Sequence, residues 1–194
     1  MLPNRIFFTG VPGSRWSGIA QALESGAGFN TSDRLPSRTY THHAYTGHLG
    51  AYFGWGMEFE PLILWSDHNY IDQAWANPGG CRLVKSHNWP DKFDEIEKCY
   101  SDDWIMLVYR PDLTSYSWWH EAGGFQIQYP DYKWYKDSTN MLYEISRSNQ
   151  QILEYGCKNN VTWEYFTANW VLTNMGQTVT VDRTYPDVLV ALIK

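Results

Sequence analysis

Arg5-Ile6-Phe7-Phe8-Thr9-Gly10-Val11-Pro12-Gly13-Ser14-Arg15-Trp16-Ser17-Gly18-Ile19-Ala20 carries the signals of a strand, a tight loop and a helix in sixteen residues. Ile6–Phe8 is a short apolar run of the length of a buried strand. Gly10, Pro12 and Gly13 break it. Ile19, Ala20, Ala22 and Leu23 then recur at helical spacing, and Gly26 stands where such a helix would stop. Strand, tight glycine loop and helix in that order aim free backbone N–H groups at an anion. Ser14 adds a hydroxyl donor and Arg15 a fixed positive charge, both suited to phosphate or sulfate oxygens. The loop is not a Walker A motif, which requires G-x-x-x-x-G-K-[ST]. Counting from Gly10, Arg15 holds the second glycine position and Trp16 the lysine position. An ordinary ATPase or kinase is therefore disfavoured.

Working outward, strand and helix signals alternate. A helix is expected within residues 60–77, closed by Asn77-Pro78-Gly79-Gly80. Cys81–Val84 is a second strand running into Lys85-Ser86-His87, and Pro90 opens a helix carrying Phe93, Ile96 and Cys99. Trp104–Tyr109 is a third strand, stopped by Arg110-Pro111-Asp112 and followed by a helix from Leu113 to Glu121. Met141, Leu142, Ile145, Ile152 and Leu153 mark a long amphipathic helix ending at Gly156. Val161–Trp163 is a fourth strand and Val179–Val181 a fifth, with a short tail element after Pro186. Alternation of this kind implies an α/β fold: a parallel sheet of four to five strands with helices on both faces. Ligands in such sheets bind at the carboxyl ends of the strands. Gly10–Ser17, Lys85–His87 and Arg110–Ser117 should thus open on one edge, bringing Arg15, Lys85, His87 and Arg110 together in a chain of net charge −6.

That acidic balance, without any Lys/Arg run, argues against nucleic-acid partners. The length of 194 residues suits one domain, residues 1–194. Three widely spaced cysteines, Cys81, Cys99 and Cys157, suggest reduced thiols. No apolar run approaches membrane-spanning length, and no leader pattern precedes the first strand, so a soluble cytoplasmic protein with no membrane partner is expected. Eleven Trp and fourteen Tyr exceed what a core of this size needs. Many fall in a loop-rich segment at about 31–60 and in Trp118–Trp134, where rings suit a substrate cleft or lid. His42, His43 and His48 stand beside no carboxylate or thiol at a recognised ligand spacing, so no metal site is assigned to them.

The three strand-end segments together resemble the sulfotransferases that use 3′-phosphoadenosine 5′-phosphosulfate (PAPS). Thr9–Trp16 is similar to their first loop, Tyr-Pro-Lys-Ser-Gly-Thr-Thr-Trp, and Gly13-Ser14-Arg15 to the Gly-Thr-Arg of the carbohydrate branch. Lys85-Ser86-His87-Asn88-Trp89-Pro90 resembles Lys-Thr-His-Leu-Pro. Arg110-Pro111-Asp112, running on to Ser117-Trp118, resembles the third motif, Arg-Asn-Pro through to a Ser-Tyr or Ser-Trp pair. The match spans about residues 5–176. It departs where Val11 replaces the first-loop lysine, where Arg110 lies one residue nearer Ser117, and in lacking a late Gly- and Lys-rich loop.

The resemblance implies a three-layer, P-loop-NTPase-like fold and transfer of a sulfuryl group from PAPS to a hydroxyl or amine of a small-molecule or carbohydrate acceptor, with no metal required. It places the 5′-phosphosulfate over Gly13, Ser14, Arg15, Trp16 and Ser17, with Trp16 near adenine, and the 3′-phosphate on Arg110 and Ser117. Lys85 and His87 become the catalytic pair, with His87 the base and His120 and Glu121 in reserve. Two other readings stand beside it: a nucleotide or metabolite kinase, and a non-catalytic nucleotide- or sugar-binding protein.

Overall fold

The computed structural model of the chain describes residues 1–33, 68–126 and 136–194. Most of the lid expected at 31–60, with its histidines, and the 127–134 part of the aromatic segment Trp118–Trp134 lie outside the described residues. The described elements run β1 (Arg5–Gly10), α1 (Trp16–Leu23), α2 (His68–Asp72), β2 (Arg82–Lys85), α3 (Phe93–Cys99), β3 (Trp104–Tyr109), α4 (Asp112–Glu121), α5 (Ser138–Lys158), β4 (Glu164–Thr167), α6 (Ala168–Asn174) and β5 (Thr184–Ile193). A 3-10 turn at Trp89–Lys92 leads into α3, with Pro90 early in it, where its missing N–H costs no bond.

The strands form one five-stranded sheet in the order β2-β1-β3-β5-β4. β1 is buried along its whole length and pairs in parallel with both β2 and β3. Pleating sends Ile6 and Phe8 to one face, where they pack with α1 and α6 through Ile19, Leu23, Val171 and Leu172. Phe7 goes to the other face, against Ile96, Trp119, Ile145 and Ile152 of α3, α4 and α5. Helices therefore lie against both faces. α5 is set by its start: Asp137 accepts from the Asn140 N–H at 2.9 Å.

The all-parallel sheet expected from the alternation is corrected here. β5 runs antiparallel to β3, with Tyr109 opposite Leu189, and β4 runs antiparallel to β5. The sheet is mixed because α6 and the segment after it return the chain to the carboxyl edge before β5 begins. β5 then needs no crossover and can only descend. Two strand assignments move with it. β4 begins at Glu164, after Val161–Trp163, and Val179–Val181 is not a strand. The expected short tail is the longest strand of the sheet and lies between two others. Its Tyr-Pro-Asp interrupts the apolar run, so sequence pattern undervalued it.

The opposite, amino edge is tied by Arg5. Its guanidinium donates to Asp72 at 2.9 and 2.7 Å and to Asp103 at 2.8 Å, pinning α2 and the start of β3 to β1. Among the described residues no helix is long and apolar enough to cross a membrane. Phe166 and Tyr165 test the register of β4, since adjacent strand residues face opposite sides. Phe166 is fully buried against the α1–α6 face and Tyr165 is 66% exposed. Phe166→Ala should cost about 3–5 kcal/mol in urea unfolding. Tyr165→Ala should stay within about 0.5 kcal/mol of the parent.

Candidate functional site

The carboxyl ends of β1, β2 and β3 meet on one edge, as the parallel registers Phe8 to Lys85 and Gly10 to Val108 require. The amino end of β5 joins them there because that strand runs the other way. The expected convergence of Gly10–Ser17, Lys85–His87 and Arg110–Ser117 is thus present, and the segments touch. The Ser86 N–H donates to the Phe8 carbonyl at 3.2 Å, and the His87 Nδ1 meets the Gly10 carbonyl. Arg110 Nη1 donates to the Gly13 carbonyl at 2.7 Å.

The loop is a tight turn closed by the Ser14 N–H on the Val11 carbonyl at 3.1 Å. Gly13 (φ 80°) is obligatory there: a Cβ would run into the Ser115 carbonyl on α4. Arg15 holds a left-handed conformation (φ 66°) directly before α1 and lends that helix no side-chain cap. A non-glycine residue in this region carries strain, which collects at ligand-binding turns.

Among the described residues, buried polar atoms without hydrogen-bond partners gather around the loop. Thr9 Oγ1, Ser14 Oγ, Arg15 Nε and Trp119 Nε1 all belong to this group. Ser14 is 0% exposed, its hydroxyl tucked where a Gly10 side chain would stand. A folded chain rarely leaves such groups unsatisfied, and an ion or ligand is one of the recognised reasons. The Arg15 guanidinium stacks 3.4 Å above the Trp118 ring, with Tyr185 at 5.5 Å. Burial, then the nearby charge of Arg110, lowers the Arg15 pKa below its ordinary value. Among the described residues Arg15 makes no ion pair, and its cation lies on aromatic faces beside the loop.

The other expected site residues are more engaged. Lys85 is buried and paired to Glu24, at the end of α1, at 3.1 Å. Arg110 is 4% exposed; its Nε and Nη2 donate to one oxygen of Asp187 at 2.9 and 2.5 Å. The Arg110 carbonyl in turn accepts from Asn149 Nδ2 at 2.8 Å and Ser115 Oγ at 3.2 Å. Burial works to raise the Asp187 pKa, but the hydrogen bond and charge of Arg110 outweigh it and hold the carboxyl below its usual value. Trp16 lies in the core at 4% exposure, stacked on Phe8 at 5.7 Å and on His87 at 4.3 Å between centroids. Ser17 is half-buried at the start of α1, and Ser117 is exposed on α4. His120 is exposed near the end of α4 and Glu121 is exposed beside it.

Asp187, Tyr185, Trp118 and Glu24 belong to the site but were not among the expected residues. Glu24 carried no motif, and Trp118 stood in the third motif and the aromatic segment without a role at the loop. Tyr185 and Asp187 would have been found only by recognising β5 as an antiparallel strand starting at this edge. Among the described residues no group of His, Cys, Asp and Glu is arranged to hold a metal ion.

The close approach of Gly13 to α4 is measurable. Gly176 has a similar φ of 69° but nothing within 4 Å of an added Cβ. Gly176→Ala should therefore cost only the left-handed penalty, about 1–2 kcal/mol. Gly13→Ala should cost clearly more, because the α4 backbone must also move. Equal losses in urea unfolding would show that the loop does not press on α4. Comparison with protein-family models, with curated proteins and with solved structures finds no match for this chain.

Proposed function

We propose that this chain transfers a sulfuryl group from PAPS to a hydroxyl or amine of a small-molecule or carbohydrate acceptor, on a three-layer, P-loop-like sulfotransferase fold. The observation that carries this reading is the pair of unpartnered buried donors, Ser14 Oγ and Arg15 Nε, in a strand–glycine loop–helix turn. A loop of that form binds phosphate-like anions through backbone N–H groups and the helix dipole. The absence of a Walker lysine turns the reading away from ATP and towards a donor held by Ser and Arg.

The residues fit the donor unevenly. The 5′ side fits: Gly13, Ser14, Arg15 and Ser17 supply backbone and side-chain donors around a strained turn. The 3′ side fits only if Arg110 exchanges its present partner Asp187 for phosphate. Trp16 is committed to the core, so Trp118, already stacked with Arg15, is the aromatic face nearest the loop cation. When bound, the donor supplies the sulfuryl group and a stable bisphosphate leaving group.

His87 then has a defined proton chemistry. Its Nδ1 lies on a carbonyl oxygen, which can only accept, so Nδ1 carries a hydrogen and, in the neutral ring, Nε2 carries the lone pair. A neutral imidazole held in that tautomer can take the acceptor's proton at Nε2. Lys85 contributes through the Glu24 pair by fixing the end of β2 beside the loop.

A second reading is favoured by one observation: Lys85 and Arg110 are both neutralised by carboxylates, as expected of a non-catalytic nucleotide- or sugar-binding protein. Thermal unfolding with adenosine 3′,5′-bisphosphate and with ATP tests the ligand. The bisphosphate at 100-fold over its Kd should add about 2.7 kcal/mol, and ATP at the same concentration clearly less. A sulfuryl-transfer assay against sugar and phenolic acceptors then separates enzyme from binder. With an accepted substrate, His87→Ala should lower kcat about 10²–10⁴-fold while leaving bisphosphate binding nearly intact. Unchanged kcat in that variant removes His87 as the base.

A further inference from the structure

The Arg110–Asp187 pair is unusual in its geometry. A carboxylate and a guanidinium normally meet with two oxygens on two N–H groups. Here a single oxygen, Asp187 Oδ2, accepts from both Nε and Nη2 of Arg110. The guanidinium is buried, with its side chain 5% exposed, whereas the Asp187 side chain is 42% exposed. Asp187 therefore stands between the Nε/Nη2 edge of Arg110 and solvent. Everything else that holds Arg110 approaches from inside: the Gly13 carbonyl on Nη1, and Asn149 and Ser115 on its own carbonyl.

The backbone explains why Asp187 is there. Tyr109 faces Leu189 across the β3–β5 ladder, so the residues before Leu189 run past the end of β3 and beside Arg110. Tyr185, two positions earlier, comes from the same passage and lies near Arg15. The Asp187 side chain is 42% exposed, so water reaches its carboxylate while it is held by Arg110.

We propose that Asp187 is a resident counter-ion on Arg110: it occupies the guanidinium edge that a second anionic group of a ligand must take, and so sets how strongly the site selects for a 3′-phosphate. This inference rests on the reading of the loop as a nucleotide donor site. A phosphate dianion offers two oxygens to the Nε/Nη2 fork where Asp187 offers one, and carries more charge, so it can displace the carboxylate. While Asp187 stays, Arg110 is neutralised and Arg15, which makes no ion pair among the described residues, is the loop's remaining cation. A ligand with one anionic group needs only the loop and Arg15. A ligand with two must also evict Asp187.

Isothermal titration of the wild-type chain and Asp187→Asn with adenosine 3′,5′-bisphosphate and adenosine 5′-phosphate tests this. Asparagine keeps the size and an acceptor oxygen but removes the charge. The variant should bind the bisphosphate about tenfold or more tighter, by relief of like-charge repulsion, and the monophosphate within about twofold of wild type. Asp187→Ala should change the bisphosphate in the same direction, and thermal unfolding confirms that each variant is folded. Unchanged bisphosphate affinity, weaker binding, or equal tightening of both nucleotides overturns the counter-ion role, each while leaving the donor-site reading intact. If neither nucleotide binds the wild-type chain or either variant, the donor-site reading itself fails and the inference falls with it.

Discussion

A buried guanidinium holds the carboxyl edge of this protein together. Arg110 joins the glycine loop to β5, while its own carbonyl is gripped by α4 and α5. Three parts of the chain distant in sequence, the loop, α5 and β5, are thereby fixed around one residue. The arrangement is feasible because arginine offers five N–H donors in a rigid plane and stays charged when buried. Burying that charge requires a counter-ion, and the chain supplies Asp187 from the strand that happens to begin at this edge.

The direction of β5 therefore has chemical consequences beyond topology. In an all-parallel sheet this edge would carry only strand ends followed by loops. Running β5 antiparallel brings Tyr185 and Asp187 to the mouth of the loop, one against Arg15 and α1, the other against Arg110. A Cβ on Gly18 would collide with the Tyr185 hydroxyl, so α1 and β5 are fitted to each other through a glycine in the first helical turn. The same edge thus mixes cations with carboxylates. Lys85 with Glu24 and Arg110 with Asp187 are ion pairs, and Arg15 lies on an aromatic face.

This division bears on how an anion would be received. Two ion pairs, one buried and one half-exposed, give the edge its shape, since each joins a strand end to another element. The loop contributes backbone donors, the orphaned Ser14 hydroxyl and the Arg15 charge. His87 is coupled to the same loop through the Gly10 carbonyl and to α1 through Trp16, so its ring is held by both. Under the proposed function, this hold would orient the ring before any ligand arrives, as positioned acid–base chemistry needs.

Much of this was legible in the sequence, for local reasons. Ile6–Phe8 and Trp104–Tyr109 are apolar runs that no other element competes for. Gly13 marks the turn because no other residue fits, and Met141 through Leu153 keep a helical period that capping by Asp137 completes. Adjacent parallel strands with aligned ends then bring Arg15, His87 and Arg110 to one edge by geometry alone. What the sequence could not disclose is which charges find each other. Glu24 and Lys85 are 61 residues apart, and Arg110 and Asp187 are 77 apart, with no local pattern linking either pair. The direction of β5 was hidden for a related reason. Strand polarity is set by where the preceding helix leaves the chain, and its polar Tyr-Pro-Asp start masks the strand signal. Residue types and spacings determined a loop suited to an anion. Only tertiary packing decided that two of its expected cations would be answered from within the chain, because burying a charge compels the fold to provide its partner.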